Sequence, residues 1–443
     1  MATDRPQSAH AEEPGRLAAF QIANFRLLFA GRVTSNLARQ LRVVLRGWMA
    51  LELTNSPFLM ALVVSSLSWP MVFMPFIGGV LADRVDRKKI LKWTESLLTL
   101  LWAFVAMLVF FGAYQIGPSY LRIEWWHFIV TSVVSGIIQS IGRPGHQAML
   151  GSVVDEKRLS SAIALDAVSD TWPRVGGPGL AAPVILLIGG TWHSWAPLLF
   201  TVSAIGQFFS VITIFLLRWE PRMDVSKTRQ VGSPWEDFVE GMQFIKGNGV
   251  LLALVGLGLA FMLFSGGAMF LLPIFARDVL RLGSEQGAAG YFGFQLIQTL
   301  GASIGAGLLV MLALFRRRGL LLMGMAAGHA VCMILFSQST IFMLSAFLIL
   351  GNSVTQVGFR TIRRMAMQAL APDEMRGRIM SMDVFLQGLG FIGALVWGSI
   401  AQLMTNEFGL ARGAQHTLLL GATLYGLVTI IFFIFVPILR RFR

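Results

Sequence analysis

A single cysteine, Cys332, stands in a chain of 443 residues. One thiol excludes an internal disulfide framework and any cysteine-based metal cluster. His329 lies three residues away, but two ligands make no metal site, and a packed core pair is expected there. Charge is also scarce. Asp, Glu, Lys and Arg make up 13% of the sequence against 55% hydrophobic residues, which excludes an ordinary soluble domain. No Walker-type lysine loop occurs, so ATP is not the evident energy source. No serine-histidine-acid order and no zinc helix points to an enzyme, and no cofactor or metal is expected.

What abounds instead is apolar sequence of bilayer length. Twelve runs can be read, at about 22–52, 57–82, 90–113, 125–148, 160–188 and 195–218, then 250–276, 286–314, 318–337, 340–364, 377–405 and 416–439. They alternate too little for barrel strands, so an all-α protein with twelve transmembrane helices is expected, with the lipid bilayer as its solvent. The N-terminus, MATDRPQSAHAEEPGR, lacks the basic-then-apolar order of a cleaved signal and should be retained in the cytoplasm. Loops on that side would carry Arg84, Arg87, Lys88, Lys89, Lys157, Arg158 and Arg316 to Arg318, and opposite loops only Arg122, Arg277, Arg281 and Arg412. That bias places both termini in the cytoplasm of a multi-pass cell-membrane protein. The net charge of +13 gathers beside the spans, where topology accounts for it, and no nucleic-acid partner is expected.

The longest interior polar stretch, 219–249, separates six spans from six. It divides the chain into a tail (1–21), an N-terminal six-helix bundle (22–218), a linker (219–249) and a C-terminal bundle with a short basic tail (250–443). Within the linker Trp235, Phe238, Val239, Met242 and Ile245 follow helical spacing, which predicts an amphipathic helix on the inner leaflet. VDEKRL (154–159) after the fourth span and PDEMRG (372–377) after the tenth form a short internal repeat. Together these features point to duplicated, pseudo-symmetric bundles around a central site.

The first span contains GRVTSNLARQLRVVLRG (31–47). At 100° per residue Arg32, Arg39, Arg42 and Arg46 share an arc of about 80°, with Asn36 beside it. Each arginine costs roughly 2.5–3.5 kcal/mol at the bilayer centre, so the stripe should face water or protein. Two readings stay open. Either the guanidinium groups line a wet passage and bind an anionic small molecule bidentately, or they form a salt-bridge network with the acids of the fifth span.

Those acids are Asp166 and Asp170, which share one helical face with Arg174. Asp170 and Arg174 could neutralise each other, or one aspartate could exchange a proton during a transport cycle. Asp383 in the eleventh span lies at nearly the equivalent depth and is a further ion-coupling candidate. Arg143, Arg360, Arg363 and Arg364 read as anchors at the inner interface, and the glycines of GASIGAG (301–307) as close helix packing.

The loop GVLADRVDRKK (79–89) resembles motif A of the major facilitator superfamily. Gly79, Leu81, Asp83, Arg84, Arg87 and Lys88 match, with Asp86 where a second glycine is more common. LELTNSP (51–57), GRPGHQAML (142–150), WEDFVEGMQFI (235–245) and APDEMRGRIMS (371–381) are similar to one branch, the bacterial exporters related to the enterobactin exporter, of transmembrane secretion effector type. RVGGPG (174–179) loosely resembles the superfamily's glycine-proline antiporter motif. The resemblance spans nearly the whole chain. It implies alternating access between two bundles, a gating set of Gly79, Asp83, Arg84, Arg87, Lys88, Asp373, Arg376 and Arg378, and export coupled to protons. That branch commonly carries a Gly-Asp pair where this chain has Ala38 and Arg39, so an acidic position is basic here. The cationic span then implies an anionic or acid-bearing organic substrate, siderophore-like or another acidic metabolite, handled by a monomer. Alternatives are a multidrug exporter of amphipathic compounds, an uptake permease or lysophospholipid flippase, and a non-transporting membrane scaffold.

Overall fold

The computed structural model describes residues 17–70, 87–118, 121–218, 234–312, 317–372 and 374–437. The N-terminal half contains α1 (Ala23–Thr54), α2 (Pro57–Ser65), α3 (Arg87–Tyr114), α4 (Trp125–Val153), α5 (Glu156–Ile188) and α6 (Trp192–Leu216). After α7 (Pro234–Gly247) come α8 (Gly249–Ala260), α9 (Gly283–Leu312), α10 (Arg318–Gln338), α11 (Phe342–Leu370), α12 (Arg376–Gly388), α13 (Gly390–Phe408) and α14 (Leu410–Phe435). Among the described residues seven helices are long and apolar enough to cross a membrane by length and composition. Counting α12 with α13 as one span, and the second span by its described part, the helices trace six spans on either side of α7.

Two spans depart from the regular helices expected. The seventh continues past α8 through a π turn (Phe261–Ser265), a 3-10 stretch (Gly266–Leu271) and a second π turn (Phe275–Val279). The eleventh breaks at Leu389, between α12 and α13. Both breaks sit within protein, where neighbouring helices can satisfy freed backbone groups. Trp397 of α13, for example, donates its indole N–H to the carbonyl of Leu263.

Local signals set the first helix boundary. In LELTNSP, Asn55 ends α1 in the left-handed conformation (φ 47°), Ser56 accepts from Leu59 N–H at 3.3 Å, and Pro57 opens α2. Asparagine tolerates that conformation, serine caps, and proline suits a first helical position. The linker helix is also present, but Met242 and Ile245 pack into the C-terminal half's core, so those predicted membrane-facing residues cover protein instead. Arg378 of α12 holds Glu240 at 2.7 Å, which fixes the same contact from the polar side.

The glycines of 301–307 pack as expected at two positions. A Cβ on Gly301 would lie 2.6 Å from the Leu350 carbonyl oxygen, and one on Gly305 2.8 Å from that of Val354. Backbone meets backbone between α9 and α11. Gly301→Leu is therefore expected to lower stability by about 1–3 kcal/mol or more through overpacking, read as a lower thermal midpoint in detergent.

The hydrophobic core shows where the halves meet. One cluster unites both, with Trp48, Trp195 and Phe200 from the first half and Phe275, Tyr291 and Phe292 from the second. The residues named lie at the end of α1, the start of α6, the end of the seventh span and the start of α9, on the side away from where α1 begins. On the terminal side there are two separate clusters. One holds Phe25, Leu28, Met149 and Ile214, and the other Leu254, Phe261, Phe359 and Tyr425. The described halves thus close on the far side and share no core on the terminal side.

Polar contacts reinforce the far closure. Arg277, at the end of the seventh span, reaches Glu52 at 3.6 Å and donates to Asn55 Oδ1 at 2.6 Å. Ser56 donates to Gln402 Oε1 at 2.6 Å, Trp48 stacks on Tyr291, and a Cβ on Gly398 would meet that of Ala61 at 2.4 Å.

Candidate functional site

The cationic face of α1 turns into the N-terminal half. Arg32 pairs with Asp170 at 3.2 Å, and Asn36 donates to the same carboxylate at 2.7 Å and to the Ser169 carbonyl at 3.0 Å. Arg39 donates to Asn36 Oδ1 at 2.9 Å. One turn on, Arg42 donates to the Ser203 carbonyl (3.3 Å) and Gln207 Oε1 (2.9 Å), and lies over the Trp102 ring at 4.5 Å. Arg46 donates to the Ser132 hydroxyl. Arg42 and Arg46 are each 3% exposed, so the buried end of the stripe faces protein and not lipid.

Close packing of α5 on α1 produces this geometry. A Cβ on Gly177 would stand 3.0 Å from both Gln40 Cβ and Leu41 N, so only glycine lets α5 lie so near. Its interior prolines, Pro173, Pro178 and Pro183, leave unpaired carbonyls that a membrane helix can satisfy through neighbours. Among the described residues Asp170 pairs with Arg32, and the Arg174 carbonyl accepts from Thr299 of α9 at 3.3 Å, a bridge between halves. Asp170 is thus neutralised by Arg32 rather than by Arg174.

A polar cavity of about 50 Å³ lies between α1, α3, α4 and α6. Arg32, Asn36, Arg39 and Arg42 line it together with Ser35, Glu95, His146 and Gln207. Arg46 stands deeper in the bundle, outside the lining. Glu95 was not singled out by the sequence. Its carboxylate accepts from Ser35 (3.2 Å), Ser210 (3.0 Å) and Gln207, so Gln207 bridges it to Arg42. The available signal was a lone acid five residues inside an apolar run. His146, likewise unassigned, lies 3.0 Å from Asp166.

In the C-terminal half Asp383 is wholly buried between Arg363 and Arg364, the latter at 3.2 Å. Arg363 is 3% exposed, and Arg360 lies over the Phe261 ring at 5.0 Å. Of the expected interface anchors Arg363 therefore lies inside the bundle, where Asp383 supplies its counter-charge, while Arg364 is exposed and the side chain of Arg143 lies outside the described residues. Both pairs, His146–Asp166 and Arg363–Asp383, are 20 residues apart and face each other across the repeated acidic-basic loop. His329, fully buried, bonds the Ser265 hydroxyl at the π turn of the seventh span.

Of the expected gating set, Gly79, Asp83, Arg84 and Asp373 lie outside the described residues, as does the side chain of Arg87, whose backbone opens α3. Lys88 donates to the Leu217 carbonyl at the end of α6, and Arg376 is exposed at the start of α12.

The sequence model of the transmembrane secretion effector family matches residues 14–432. The enterobactin exporter EntS of Shigella dysenteriae serotype 1 is 23% identical over 404 residues, covering 90% of each chain. The MFS-type transporter YfiS of Bacillus subtilis strain 168 is 26% identical over 297 residues, 63% of each chain, so the match spans under two thirds of that relative. Among solved structures the nucleoside transporter NupG superposes with a TM-score of 0.70 at 13% identity, covering 95% of this chain and 100% of that one. The D-xylose-proton symporter gives 0.67 at 13% identity over 94% and 98%. These last two likenesses concern the fold, two six-helix bundles of the major facilitator type. The chain belongs to the transmembrane secretion effector family of major facilitator transporters, and so to transporters rather than enzymes.

Proposed function

We propose that the protein is a proton-coupled exporter of an anionic or acid-bearing organic small molecule, working by alternating access as a monomer in the cell membrane. The observation that carries this reading is the one-faced row of guanidinium groups on α1, of which Arg32, Arg39 and buried Arg42 line a polar cavity and Arg46 stands buried deeper. Arg32, Asn36 and Arg39 would receive the cargo's acidic group, and the two deeper arginines hold the local potential positive. The enterobactin exporters, relatives across nine tenths of the chain, support the direction. Asp166, Asp170 with Arg174, and Asp383 are the ion-coupling groups in this reading, the motif A loop closes the cytoplasmic face, and 219–249 tethers bundles 22–218 and 250–443. The test is flux in proteoliposomes with an imposed pH gradient, across anionic and cationic compounds. Equal flux of both charge types, independent of the gradient, would favour a multidrug exporter instead.

Within this reading the terminal side is cytoplasmic and the far closure is the outer gate. Glu52→Gln removes the ionic partner of Arg277, an interaction worth about 1 kcal/mol, and should populate the outward-open form about fivefold more. The readout is labelling by an impermeant thiol reagent at Gln295→Cys, one turn below Tyr291, in a Cys332→Ser background. Unchanged labelling would remove Glu52 from the gate.

A further inference from the structure

We propose that the cavity inside the N-terminal half binds one small monovalent inorganic anion of halide size at buried Arg42, beside the Arg32–Arg39 face that takes the cargo's acidic group in the reading above. Charge balance points there first. Among the described residues Arg32 pairs with Asp170 and Asp166 holds His146, while Glu95 is bonded by the neutral Ser35, Gln207 and Ser210. Among the described residues no carboxylate lies within 4.0 Å of Arg42 or Arg46, although both are 3% exposed. Arg42 meets Glu95 only through the Gln207 amide. A buried guanidinium held by neutral oxygens alone has left water without an ionic counterpart, an arrangement that favours an incoming anion.

Geometry supplies the second observation. Arg42 lines the cavity, and its Nε, like that of Arg32, is buried with no hydrogen-bond partner. On the remaining wall the Gln139 amide is a donor to a halide, beside Ser35 and Asn36, whose own donors are held by Glu95, Asp170 and the Ser169 carbonyl. Size decides the class. A volume of about 50 Å³ has room for a few waters or one halide.

The charged groups facing the cavity also set limits. Glu95 from α3 lines the cavity and Asp170 from α5 holds the lining Arg32, so both oppose an anion and a divalent one is not expected, while His146 from α4 adds a ring nitrogen. The inference does not depend on what the protein exports, because it can be read without transport.

The experiment is thermal unfolding of the purified full-length chain in detergent at constant ionic strength. Sodium gluconate is replaced stepwise by sodium chloride, bromide or formate. Binding to the native form alone raises the midpoint with the logarithm of one plus the ligand concentration over Kd. A rise of a few degrees with chloride and bromide is expected, absent in Arg42→Gln and retained in the exposed control Arg412→Gln. Because Arg42→Gln could fail to fold, chloride-35 line broadening of the unmodified protein, reversed by bromide, is measured in parallel. Halide-independent unfolding with no line broadening overturns the proposal. A rise with formate but not with halides overturns it as well and assigns the cavity to the carboxylate of the cargo.

Discussion

Asp383→Asn is expected to destabilise the folded chain by about 3–5 kcal/mol, the cost of leaving a buried charge without its partner. The carboxylate is wholly buried and bonds Arg363, itself 3% exposed, together with Arg364. An asparagine keeps the shape and one acceptor oxygen but leaves two guanidinium groups facing each other. The measurement is the thermal midpoint in one detergent, compared with exposed Arg412→Gln. Asp383→Asn combined with Arg363→Met should recover part of the loss, since removing both partners of a buried pair costs less than removing one. A midpoint no lower than that of the control would mean that the cluster does not clamp the fold. It would also strengthen the reading of Asp383 as a coupling group whose ion pairs break during each cycle.

Arg39→Ala carries the second large effect, on transport rather than folding. A charge-assisted bond to a guanidinium is worth about 1.5–3 kcal/mol, which corresponds to roughly ten- to hundredfold in affinity. The variant should therefore move an anionic substrate with at least tenfold weaker apparent affinity in proteoliposomes, at an unfolding midpoint close to that of the parent. Arg39→Lys should recover only part, because an ammonium lacks the planar fork. Wild-type rate and affinity in Arg39→Ala would remove the α1 face from cargo recognition and leave the fold assignment untouched.

The spans and their division were legible because hydrocarbon thickness sets a length that apolar runs must meet. So was the arginine stripe, since helical period alone places Arg32, Arg39, Arg42 and Arg46 on one side. What received that stripe was harder to read. Glu95 and Gln207 come from helices that meet α1 only in three dimensions, and nothing in their local sequence gives the register of that meeting. The pairing of Asp170 with Arg32 rather than with Arg174 depends on how close Gly177 lets α5 approach. The pairs His146–Asp166 and Arg363–Asp383 could have been found. Members of an antiparallel hairpin equally far from its turn come face to face, and each pair brackets one copy of the repeated loop. The breaks at Phe261–Ser265 and Leu389 also had a signal, since the first runs into Ser265-Gly266-Gly267 and Gly388 and Gly390 flank the second, but it does not give the form of the break.

The joint core around Trp48, Trp195 and Phe292 gives the molecule a preferred posture. Prising that seam apart wets aromatic rings at about 25 cal/mol for every Å² uncovered, and little else on that surface offsets the loss. Unladen protein should accordingly rest with its mouth toward the termini. The switch must then be drawn by whatever lies in the passage, so a cargo that shields those rings with its own greasy flank would release more readily than one made of charge alone.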